Sequence, residues 1–155
     1  MTHRKQRESE MQTAHRVQTA LVPQARSMAN VDFAVHSAPA GAVGGDLCDV
    51  FEADHNRAAF VIGDVCGKGV AAALLMSLIY GAVRSMAWCD SPRDHTAAME
   101  RLNDLLRRKT PAEQFATLFT AYYERETSVL RYISCGHLRY CWSGAGTMTP
   151  YTSSA

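Results

Sequence analysis

The segment that most narrows what this chain can fold into is Gly63-Asp64-Val65-Cys66-Gly67-Lys68-Gly69, set between a β-branched run and an alanine- and leucine-rich one. It demands a strand, a glycine turn and a buried helix in immediate succession. A second stretch, Pro39 to Asp46, has the same character, with Gly41, Gly44 and Gly45 leading to an aspartate before another strand-like run. Each stretch places one carboxylate beside glycines, and two such carboxylates brought together are hard oxygen ligands suited to Mg²⁺ or Mn²⁺. Glycine backbone also lets a metal or phosphate approach closely.

The spacing of apolar residues predicts how the two aspartates meet. Val31, Phe33 and Val35 alternate in a first strand, Leu47 to Phe51 reads as a second and Ala58 to Ile62 as a third, with Asp54 to Arg57 as the polar turn between the last two. Asp46 then stands near the start of one strand and Asp64 near the end of the next. In an antiparallel hairpin those ends are neighbours, so the carboxylates can converge.

Elsewhere the pattern alternates between helix and strand. A helix is expected from about Ser9 to Val22, ending before Pro23, with Met11, Ala14, Val17, Ala20 and Leu21 as a narrow apolar stripe. Lys68 to Trp88 and Asp94 to Lys109 read as two further helices, the second with Arg101, Arg107, Arg108 and Lys109 on its solvated side and end. Ala72 is expected on the face that packs against a sheet. Three β runs follow, Phe115 to Tyr123, Val129 to Ser134 and Leu138 to Trp142, then a tail from Ser143 without periodicity. Strands, a helix pair and more strands predict an α+β fold with helices on one face of a mostly antiparallel sheet.

Composition removes several function classes. The net charge is +1, from 16 basic and 15 acidic side chains in 155 residues, so no field draws the chain to nucleic acid or an anionic membrane. The N-terminus lacks a signal-peptide core, and the run from Val70 to Val83 is shorter than the ~20 residues of a membrane span. Five cysteines without a CxxC pair argue against a disulfide framework and a structural zinc site. They read as reduced thiols, mostly small core residues, and the chain as cytoplasmic. A nucleotide P-loop fails on spacing: Lys68 falls one place early and Gly69 replaces the hydroxyl residue. Asp49 reads either as a hydrogen-bonding support of the site or as an exposed strand-end carboxylate. His137 reads either as a turn or packing residue or as a site-facing one.

Taken together, Gln18 to Pro23, Pro39 to Asp49, Gly63 to Met76, Phe115 to Thr117 and Ser134 to His137 resemble the SpoIIE/RsbU branch of the PPM metal-dependent serine/threonine phosphatases in order and spacing. The resemblance implies a β-sandwich flanked by helices around a binuclear Mn²⁺ or Mg²⁺ centre. Asp64 would match the bridging carboxylate, Asp46 a second ligand and the Val65 carbonyl a backbone ligand. It implies hydrolysis of phosphoserine or phosphothreonine on a phosphorylated regulatory protein, commonly an anti-sigma-factor antagonist, by metal-activated water. Leu47 and Cys48 depart from the aromatic residues common there. The family's later Thr-Asp-Gly segment and final acidic position have no counterpart before Ala155, so the domain is expected to be C-terminally incomplete.

Two functions follow as expectations: a phosphatase using Asp46 and Asp64, or a catalytically weak phosphatase-like module that binds a regulatory protein or an upstream sensor domain. Residues 1–24 are expected to form a linker helix, able to support a homodimer, and 25–155 a partial phosphatase domain.

Overall fold

The computed structural model of the chain describes residues 3–23, 27–28, 31–37, 41–86, 92–137 and 148–150. Helix α1 (His3–Leu21) comes first, then a two-stranded ladder of β1 (Ser27–Met28) and β2 (Val31–Asp32). The main sheet has the order β3 (Leu47–Glu52), β4 (Arg57–Val65), β5 (Ala116–Glu124), β6 (Val129–Cys135) and β7 (Met148–Pro150). All its pairings are antiparallel except β6 with β7. Between β4 and β5 run α2 (Val70–Ser85) and α3 (Pro92–Lys109). The architecture is α+β, as the alternation of periods implies.

One face of the sheet carries the main core. Leu47, Phe51, Ala59, Val61 and Val65 alternate onto it and meet Ala72, Leu75, Met76, Ile79 and Val83 of α2 and Ala98, Met99 and Leu102 of α3. The α2 residues recur every three or four positions, one stripe of a 3.6-residue helix, and each large side chain buried this way contributes about 1.5–3 kcal/mol. Ala72 is buried in that contact, as expected. On the opposite face Phe119 and Tyr132 stack with ring centroids 5.5 Å apart beside Ala121, Phe60 and Leu130.

Several boundaries differ from expectation. Helix α1 begins at His3 rather than Ser9, because Arg4 with Glu8 and Gln6 with Glu10 form side-chain bonds one turn apart. Helix α2 starts two residues later than expected, at Val70, because Gly69 takes a left-handed φ of 71° that a helix cannot continue from. Strand β4 is longer at both ends and includes Asp64, since β5 pairs with it from Arg57 to Val65. Strand β2 stops at Asp32, where its two-residue partner ends. The tail, read as irregular, contributes β7 on the edge of β6; three residues are too few for a period to be visible. The strand expected over Leu138 to Trp142 lies outside the described residues. Of the cysteines expected in the core, Cys48 and Cys66 are half-buried and Cys135 is exposed, all as free thiols. The expected alternation accounts for Cys48, which falls on the sheet face away from the helices. Burial, followed by the neighbouring Asp49 carboxylate, pushes the Cys48 thiol up. Among the described residues no helix is long and apolar enough to cross a membrane.

Candidate metal and phosphate site

The register of the β3–β4 hairpin determines where the two aspartates go. Leu47 pairs with Gly63, and the Val65 N–H donates to the Gly45 carbonyl at 3.3 Å, so the ladder runs on past the named end of β3. Asp46 and Asp64 are therefore directly opposite each other at a non-hydrogen-bonded position, where side chains on one face have Cβ atoms roughly 5 Å apart. Their neighbours Leu47 and Val65 point into the core and are buried, whereas both aspartates are exposed on the other face. The predicted convergence holds.

This approach needs Gly45. A Cβ on that residue would lie 2.6 Å from the Val65 carbonyl oxygen and 3.0 Å from the Val65 Cβ. Beyond the site the chain turns through Gly67 and Gly69, with φ of 100° and 71°, and the Cys66 N–H donates to the Phe115 carbonyl at 2.8 Å, tying the turn to the start of β5.

The row continues onto β5. Thr117 is the register partner of Asp64, so it shares the face of the two aspartates. Its Oγ1 is 2.9 Å from Nδ1 of His137. Of the two readings left open for His137, the contact with Thr117 puts its ring beside the aspartate row. The Phe115-Ala-Thr117 block contained Thr117, but only strand register reveals what it faces.

From the other side, α1 holds the loop that carries Asp46. The Gln18 amide donates from Nε2 to the Gly44 carbonyl at 2.6 Å and accepts from the Gly44 N–H at 2.9 Å, and His15 Nδ1 is 2.5 Å from the Ala42 carbonyl oxygen. A cavity of about 250 Å³ lies between this end of α1, residues 35–37 and Asp46. Sequence reasoning had no signal for the Gln18 clamp beyond the residue's place in a family block, because a side-chain-to-backbone contact across 26 residues leaves no periodicity.

Asp49 serves neither role expected of it. It lies three places along β3 from Asp46, so it points to the helix face, where it is 1% exposed and forms a two-pronged pair with Arg84 at 2.5 and 2.8 Å. Burial works against the Arg84 charge, but the Asp49 carboxylate outweighs it and holds the guanidinium pKa above its ordinary value. Asp54 sits in the turn at the far end of the hairpin, accepting from the Asn56 and Arg57 N–H groups and pairing with the Arg57 side chain at 2.7 Å. Neither carboxylate is at the site.

As to what could bind here, two exposed carboxylates face each other, and neither has an ion pair or side-chain hydrogen bond among the described residues. Like charges so placed repel, and a divalent cation relieves that repulsion. The donor chemistry fits Mg²⁺ or Mn²⁺. Among the described residues no group of three or more His, Cys, Asp or Glu is arranged to hold a metal, so the pair with a backbone carbonyl is a partial ligand set.

A strand hairpin thus pairs two aspartates on one exposed sheet face while helices cover the other. The family model described as Stage II sporulation protein E (SpoIIE) matches residues 54–154, and the chain belongs to that family, in the SpoIIE/RsbU-type branch of the PPM phosphatases. It is 32% identical over 133 residues to "Phosphoserine phosphatase RsbU" of Bacillus subtilis (strain 168), covering 83% of this chain and 38% of that protein. It is 30% identical over 124 residues to "Protein IcfG" of Synechocystis sp. (strain ATCC 27184 / PCC 6803 / Kazusa), covering 64% of this chain and 20% of that one. Among solved structures it matches the RsbU and RsbW domains of Rv1364c from Mycobacterium tuberculosis with a TM-score of 0.46 and 29% identity, over 57% of this chain and 24% of that one. The chain thus spans well under half the length of the curated relatives it matches.

Proposed function

We propose that the chain is a phosphoserine/phosphothreonine phosphatase domain acting on a phosphorylated regulatory protein, such as an anti-sigma-factor antagonist, with Mn²⁺ or Mg²⁺. The observation that carries this reading is the direct opposition of Asp46 and Asp64 on one exposed sheet face. When bound, the cations would activate water and offset the charge that develops on the phosphoryl group. Asp64, inside β4 and flanked by pairing on both sides, is the more rigid ligand; Asp46, on the glycine loop, is the adjustable one. The Val65 side chain is buried, so that residue would contribute only its carbonyl. Residues 1–24 act in this reading as a linker helix to residues 25–155, receiving input from an upstream sensor domain. Membership of the SpoIIE family and the likeness to a phosphoserine phosphatase support the substrate class.

The test is calorimetric titration of the chain with Mn²⁺, alongside hydrolysis of an aryl phosphate. Expected are binding of a divalent ion and slow, metal-dependent turnover, with Asp64→Asn weakening both more than Asp46→Asn. Binding undiminished in both variants would overturn the site. The alternative is a phosphatase-like binding module; retained phosphoprotein binding without turnover would establish it.

A further inference from the structure

The residues opposite and beyond Asp64 have no role in the metal reading. Thr117 occupies the place next to Asp64 in the cross-strand row, and His137 is fixed to it through Nδ1 at 2.9 Å. The His137 ring is half-buried, and its Nε2 makes no hydrogen bond among the described residues. Gly136, with φ of 71°, turns the chain at the end of β6 so that His137 lies over Thr117; a Cβ at Gly136 would come within 3.9 Å of the Thr117 methyl group. A non-glycine residue there would be strained, so this placement is specified rather than incidental.

The chemistry of the row is asymmetric. Its Asp46 end offers only acceptors, which repel a phosphoryl group unless a cation lies between them. Its Thr117 end offers an imidazole and a hydroxyl, which can donate. A phosphate ester bound across a row of this kind needs neutral or cationic donors for the oxygens that face away from the metal.

We infer that His137 binds the phosphoryl group of the substrate through Nε2–H, and that Thr117 is the positioning residue that holds its ring in place. If the Thr117 hydroxyl donates to Nδ1, the neutral imidazole carries its proton on Nε2, so one hydrogen bond sets both the ring orientation and the donor. This rests on the phosphatase reading above and deepens it by naming the groups that contact the phosphate.

The experiment uses the 155-residue chain with Mg²⁺ and inorganic phosphate as the probe. Phosphate is expected to shift the ¹⁵N resonance of His137 Nε2 in the unmodified chain. By calorimetry, His137→Ala is expected to weaken phosphate binding about tenfold, the scale of one hydrogen bond to a charged group. His137→Gln, whose amide can donate from about the same place, should recover most of that loss. Thr117→Val should weaken binding and Thr117→Ser restore it, a rescue that a purely structural role for the hydroxyl does not require in the phosphate readout. If phosphate binds the unmodified chain and leaves Nε2 unmoved, or binds His137→Ala as tightly, the inference is overturned while the metal site stands. If the unmodified chain binds neither Mg²⁺ nor phosphate, both readings fall together.

Discussion

Gly45 has no room for a side chain. The 2.6 Å between its would-be Cβ and the Val65 carbonyl oxygen is a backbone clash, which no rotamer change relieves. Gly45→Ala must therefore push apart the strand ends that bring Asp46 opposite Asp64. We expect a loss of about 1–3 kcal/mol in stability, the usual cost of overpacking, together with weaker Mn²⁺ binding. Urea denaturation and calorimetry check the two effects separately; a variant that keeps both values would show that the loop yields without moving Asp46. The spacing of glycines marked this loop as permissive, but the particular close approach follows from the hairpin register.

At the scale of elements, α2 and α3 are fastened to the sheet by different means. Helix α2 relies on close approach: Ala72 is 2% exposed against the sheet, and Ala72→Leu is expected to cost about 1–3 kcal/mol, read as a lower thermal midpoint. Helix α3 adds a polar lock, with His95 Nε2 2.8 Å from the Thr120 hydroxyl and the ring 5.3 Å from that of Tyr122. Burial pushes the His95 pKa down from 6.5 to about 4. The unfolded chain takes up this proton first as pH falls, so the stability from neutral His95 is full above about 6.5 and is lost progressively toward about 4. The largest loss is about 3 kcal/mol at 1.36 kcal/mol per unit of pKa difference. Denaturation at pH 7.5 and pH 5 should show most of that fall in the unmodified chain and a smaller one in His95→Gln. An equal fall in both would assign the pH dependence to other groups.

For the whole molecule, the attachment of α1 sets the terms. It buries none of its residues fully, leaves Met11 and Val17 exposed, and reaches the loop before Asp46 through Gln18 and His15. Deleting residues 1–16 is expected to leave the sheet and its helices folded, because Gln18 and the half-buried Leu21 remain, and to lower self-association if Met11 serves a homodimer. Light scattering that gives both the full chain and the shortened one the mass of a single copy would show that the helix is not an interface. The sequence by itself determined the class of fold and the two aspartates, since alternation and helical periodicity are local and glycine-flanked carboxylates stand out at any position. It also carried the family. Tertiary structure alone decided that Asp49 turns away to Arg84, that Thr117 and His137 extend the aspartate row, and that Gln18 grips Gly44. Each of these depends on which face a residue presents after strands pair, and on contacts 20 or more residues apart along the chain. Such contacts are chosen by packing and register, which no local pattern encodes.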